Sequence, residues 1–151
     1  MSPTVRTLAR FSLAAFVLVV VFGTIRAAPT PLHALMAASP ESEKAMASFH
    51  AHFDALCFVG AAALALSLHQ VGVGPRVPAW APRALATGFM AGSLLFSSGY
   101  AVKAFGIAFG LPLVARGIAT AMISGGGLFL IGAAAAALLI LRGTGEGSVE
   151  R

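Results

Sequence analysis

Two imidazoles and a carboxylate, from His50, His52 and Asp54, fall within five consecutive residues of a stretch that is otherwise apolar. In hydrocarbon such groups are expensive, at about 2.5–3.5 kcal/mol for an aspartate at a helix centre, so an ionisable side chain there is read first as functional. A neutral imidazole can ligate a metal or carry a proton, and a carboxylate can orient it. Spacing separates the roles. At 3.6 residues per turn, His50 and His52 stand about 200° apart and cannot share one metal on a regular helix. Asp54 falls on the His50 face, with Cys57 a turn further on. His52 falls on the opposite face with Ser48, Leu56 and Gly60. A lone imidazole among apolar and small residues suits an axial ligand of haem iron. The His50–Asp54 pair suits a buried hydrogen bond that orients the helix or holds a proton. Hydrogen bonds from both histidines to backbone or interfacial water are the structural alternative.

Depth singles out a second group. His52 is expected about 10 Å into its helix from the outer end, and Tyr100 about 13 Å below the outer end of another. Ser97-Ser98-Gly99-Tyr100 can therefore face the His52 level. Tyr100 is the sole tyrosine, and its hydroxyl at that depth needs a partner, either another helix or a bound ligand. Lys103 and Arg116, nearer the outer surface, can snorkel or pair with anionic groups of a cofactor. His69 is expected at the opposite boundary, about 25 Å from His52, and His33 in a loop.

These residues need elements that cross a membrane. Of 151 residues 58% are hydrophobic and 10% charged, against about 25% charged in soluble domains. Four apolar stretches, near 8–25, 45–71, 83–109 and 114–141, are each long enough for a core of about 30 Å. They nearly exhaust the chain, which predicts an all-α, integral membrane four-helix bundle forming a single domain. The net charge of +5 is scattered around the spans and does not suggest nucleic acid. Arg6, Arg10, Arg76, Arg83, Arg142 and Arg151 flank one side, which predicts cytoplasmic N- and C-termini and a multi-pass protein of the cell (inner) membrane. Span one resembles a signal peptide, but Arg26 before the candidate cleavage point and Pro29 after it predict a retained helix.

Pro29 and Pro31 break the first helix, residues 32–44 are expected as the longest connection, and Ser39-Pro40-Glu41 reads as a helix cap. Trp80 is placed for the lipid interface. Gly110-Leu111-Pro112 predicts antiparallel neighbours, and residues 143–151 a disordered tail. Gly88 and Gly92 are expected to let helices approach closely, the alternative being a flat wall against a planar cofactor. Cys57, the single cysteine, excludes a disulfide within one chain.

At His50-Ala51-His52-Phe53-Asp54-Ala55-Leu56-Cys57-Phe58-Val59-Gly60 the chain resembles small four-helix proteins described as similar to haem–copper oxidase subunit I. It also resembles styrene oxide isomerases, small four-helix membrane proteins in which an Ala-His near the start of helix two supplies the axial ligand of haem b. Ser39-Pro40-Glu41 ahead of Ala51-His52 is similar to that family's approach to helix two. Ser97-Ser98-Gly99-Tyr100 is similar to its stretch ending in an active-site tyrosine. The resemblance implies haem b on His52, Tyr100 positioning a small apolar epoxide, and Arg116 and Lys103 pairing with haem propionates. It also implies a homo-oligomer, a trimer by that likeness. Ferric iron there acts as a Lewis acid in converting the epoxide to an aldehyde. The chain departs from the family at Phe58, where the family carries a substrate-binding asparagine. The other expectation is a non-catalytic membrane subunit whose His and Asp side chains are polar contacts between helices. A proton or metal transporter using Asp54 and His50 lacks the repeats or broken helices that would recommend it.

Overall fold

The computed structural model describes residues 1–145 apart from Pro29 and Ala38, and only the backbone of Arg26, Ala27, Leu32 and Gly145. Its elements are α1 (Pro3–Ala27), α2 (Pro31–Ala37), α3 (Pro40–His52), a π-helical segment (Phe53–Gly60), α4 (Ala61–Val71), α5 (Ala81–Ala108) and α6 (Pro112–Gly145). The described residues are all helix, turn or loop, with no strand. Four helical runs are long and apolar enough to cross a membrane: Pro3–Ile25, Pro40–Val71, Ala81–Ala108 and Pro112–Thr144.

Local chemistry fixes the ends. Ser2 caps α1 by accepting from the Val5 N–H (3.3 Å). Ser39 caps α3 by accepting from the Ser42 N–H (3.4 Å), with Pro40, Glu41 and Glu43 in the first turn as the sequence predicts. Gly72 (φ +71°) ends α4 and Gly110 (φ +75°) closes α5, positions where any other residue would be strained. Leu111 N–H donates back to Gly106 O (2.7 Å), which satisfies a last-turn carbonyl and turns the chain sharply into α6.

Several expectations are corrected. Residues 32–44 are not a plain connection: they hold α2 and the start of α3, and His33 sits on α2 rather than in a loop. The second span is not a regular helix either, since the eight residues from Phe53 are π-helical. A π segment hydrogen-bonds five residues back rather than four, and such segments recur at functional sites. Here Ser12 of α1 reaches across to donate its hydroxyl to the Phe58 carbonyl (3.0 Å). The expected tail from 143 begins inside α6, and residues 146–151 lie outside the described residues.

α5 and α6 run antiparallel in near-backbone contact. A Cβ on Gly92 would stand 2.9 Å from Gly126 O, and one on Gly99 would stand 3.0 Å from Ala119 O. Gly88 faces Ala133 of α6 in the same way. These glycines serve helix packing rather than a cofactor wall. At the end carrying the 72–80 loop, Val5 and Leu8 of α1, Leu68 of α4, Leu85 of α5 and Ile140 of α6 form one buried cluster. At mid-depth a second cluster joins Ala15 of α1 to Phe49, Phe53 and Cys57, with Tyr100 packed against it.

Candidate functional site

His52, the last residue of α3 before the π segment, meets α5 between Phe96 and Tyr100. Its ring stacks on Tyr100 with centroids 4.8 Å apart and planes 7° from parallel, and it lies 5.3 Å from the Phe96 ring. The expectation that Tyr100 reaches the His52 level is met at van der Waals distance. His52 Nδ1 sits 2.7 Å from Ser48 O, one turn back. A carbonyl only accepts, so Nδ1 carries the proton, and in the neutral ring the lone pair is then on Nε2. An imidazole fixed through Nδ1 to a backbone carbonyl is the usual arrangement of an Nε2 metal ligand. The donor chemistry therefore fits an axial role for His52.

Phe96, Tyr100 and Lys103 follow one face of α5 at helical spacing. Phe96 also touches α6, where a Cβ on Gly126 would lie against its backbone. His52 of α3 packs against this face of α5. At the end of the bundle where α3 begins, Glu41 of α3 takes Lys103 Nζ at 3.3 Å and Arg116 of α6 at 2.6 Å. Lys103 and Arg116, expected as partners for an anionic cofactor group, are thus both held by one carboxylate. The three side chains are between a third and half exposed, so this cluster adds little to the stability of the fold. It retains one excess positive charge.

The other candidates lie elsewhere. His50 faces α1, where its Cε1 would stand 3.7 Å from a Cβ on Gly23. Among the described residues it makes no hydrogen bond or ion pair with Asp54, so the expected His50–Asp54 pair does not form. Asp54 lies in the underwound segment, which removes the regular spacing on which that pairing rested. The irregularity does not join Asp54 to His52 either, and no hydrogen bond links them. Phe58, where the resemblance would place an asparagine, turns its ring to Phe16 of α1 (5.0 Å). His69 is exposed at the end of α4, and Cys57 is wholly buried.

Family models, curated proteins and solved structures give no match to this chain. Among the described residues no three His, Cys, Asp or Glu side chains are disposed to hold a metal ion. A haem asks the chain for fewer donors than that, one or two axial ligands.

Sequence reasoning missed two features of the site. Ser93 and Ser97 are fully buried on α5 with hydroxyls that find no partner among the described residues. Ser97 stands beside the Cys57 thiol without completing a hydrogen bond. Their i, i+4 spacing was visible, but their burial was not. The cavity at the α2 end of the bundle, the outer end if the termini are cytoplasmic, is the second: about 60 Å³, between α1, α2, α3 and α5, with His50 and His33 in its lining. It depends on α2, a helix too short to show periodicity.

Proposed function

We propose that this chain is a multi-pass membrane haem b protein of the cell (inner) membrane, with His52 as axial ligand and both termini cytoplasmic. The observation that carries the reading is the orientation of His52. Its Nδ1 is tied to the Ser48 carbonyl at 2.7 Å, leaving Nε2 as donor, and its ring is held by Tyr100 and Phe96. Lys103 and Arg116, both paired with Glu41, are the cations that would receive the propionates in its place. Arg6, Arg10, Arg76, Arg83 and Arg142 support the topology. A reporter active only in the cytoplasm, fused after Arg151, is expected to be active; an inactive fusion would reverse the orientation.

The reaction we propose is redox-neutral isomerisation of a small apolar epoxide, of the styrene oxide type, to an aldehyde. The haem supplies a Lewis acid for the epoxide oxygen. The chain's own residues do the rest. The half-buried rings of Phe96 and Tyr100 offer an apolar surface to the substrate, and a tyrosine hydroxyl fixes the oxygen by hydrogen bonding. Within one chain, however, Tyr100 lies flat against the His52 imidazole. A hydroxyl that meets substrate would then come from Tyr100 of a second copy, so the reading includes a homo-oligomer, a trimer by the likeness to the isomerases. Purified haem-loaded protein is expected to turn styrene oxide into the aldehyde with no added reductant or nicotinamide cofactor. Absence of product from fully loaded protein removes the isomerase reading and leaves the haem reading standing.

One observation favours a second reading, a non-catalytic membrane subunit. His52 already has a structural place, with Nδ1 bonded to Ser48 of its own helix and its ring stacked on Tyr100 of α5. A colourless protein that purifies with another membrane protein supports that reading.

A further inference from the structure

The outer-end cavity lies on the side of α3 away from His52. Its wall includes Phe49, and its other lining side chains include two imidazoles (His33, His50), two thioethers (Met36, Met46) and the Glu43 carboxylate. Exposed His33 and Glu43 place it in reach of the outer aqueous phase, while Met36 is buried beneath α2. Its volume, about 60 Å³, is several times the roughly 10–15 Å³ a single water needs, yet far below the roughly 150 Å³ of a cavity that takes benzene. An ion or a few atoms fit; an organic substrate does not.

The donors choose the ion. Hard cations need several oxygen ligands, and only Glu43 offers any here among the lining side chains. The imidazole, thiolate and carboxylate sets that hold zinc are absent, since no three such side chains among the described residues are disposed around one point. What remains is imidazole with thioether, a soft neutral set that selects monovalent copper. Met36 Sδ now accepts a weak bond from the Ser42 hydroxyl (3.4 Å). Its three rotatable bonds let the sulfur swing without moving α2. Met46 and His50 lie one turn apart on the same face of α3, so one rigid element supplies two of the donors.

We propose that this cavity is a binding site for a soft monovalent metal ion, Cu(I), held by His50 and Met46 with Met36 and His33 completing the set from α2. The site closes α2 onto α3 and is independent of His52.

The test uses untagged full-length protein in detergent, in a Cys57→Ser background so that no thiolate competes. Cu(I) is titrated in against a chromogenic Cu(I) chelator, with Ag(I) as a redox-inert probe. One ion per chain is expected, with nitrogen and sulfur neighbours by X-ray absorption. His50→Ala and Met46→Leu should each weaken binding by more than about tenfold, the smallest loss expected even for an outer-shell partner. His52→Ala should leave it unchanged. Met46→Leu conserves volume, and Met36→Leu replaces it if its melting curve shows misfolding. Failure of the parent protein to compete with the chelator overturns the proposal, as does equal affinity in the His50 and Met46 variants. Neither result touches the haem reading, which rests on His52.

Discussion

His52 and Tyr100 arrive from helices running in opposite directions, and their contact rests on two side-chain choices. The Ser48 carbonyl fixes one ring through Nδ1, and the parallel stack fixes the other. An aromatic pair of this kind is worth about 0.5–1.5 kcal/mol beyond its burial. Tyr100→Phe keeps that stack and removes only the hydroxyl. It is expected to retain haem and melting temperature while losing epoxide isomerisation by about 10²-fold or more, as for loss of a positioned donor. A variant with full activity would make Tyr100 a packing residue. The matched depth of these two residues was legible in the sequence, because rise per residue is nearly constant in helices. The stack was not, since it depends on rotamers set by Phe96 and by the approach of α3 to α5. The failure of His50 and Asp54 to pair has a clearer cause: the spacing rule assumes a regular helix, and the helix stops being regular at Phe53.

At the scale of elements, α5 and α6 are fastened by glycine and the second span is loosened by its π segment. The four spans, the Ser39 cap and the tight α5–α6 turn could be read from hydropathy, proline and glycine. The π segment could not, because Phe53–Gly60 has the composition of any apolar helix and its register is set by tertiary contacts such as Ser12 to Phe58 O. α2 was missed because seven residues carry too little periodicity. The α5–α6 contact makes a direct prediction. A Cβ on Gly126 would meet the Phe96 backbone and stand 2.8 Å from Gly92 O. Backbone cannot yield as a side-chain tip can, so Gly126→Val is expected to cost about 1–3 kcal/mol by overpacking, read as a lower melting temperature in detergent. Gly125→Val is the control, since a Cβ there meets nothing within 4 Å. Equal melting of the two variants would mean that the helices do not touch along this line.

The whole molecule leaves apolar surface uncovered. α6 packs along α5, while its other face carries exposed Leu113, Leu128 and Ile131, available to lipid or to a second copy. The haem reading places two roles on one chain that one chain cannot fill at a single site: the ligand His52 and the hydroxyl of Tyr100. Co-expression separates the roles. A His52→Ala copy lacks the ligand and a Tyr100→Phe copy lacks the hydroxyl, so each alone is expected to be inactive. Mixed oligomers with a head-to-tail interface should regain about a quarter of the parent activity, since half of the ligand sites and half of the hydroxyls survive independently. No recovery in a verified mixed oligomer would place both residues at one chain's site.

The functional reading rests on His52 as a ligand, and the absorption spectrum of the detergent-purified protein tests that most directly. The parent protein, expressed with ample haem and measured oxidised and then dithionite-reduced, is expected to show a Soret band and reducible visible bands. His52→Ala is expected to lose them while melting as a folded protein. A featureless parent spectrum, or a His52→Ala protein with its full haem content, would contradict the assignment.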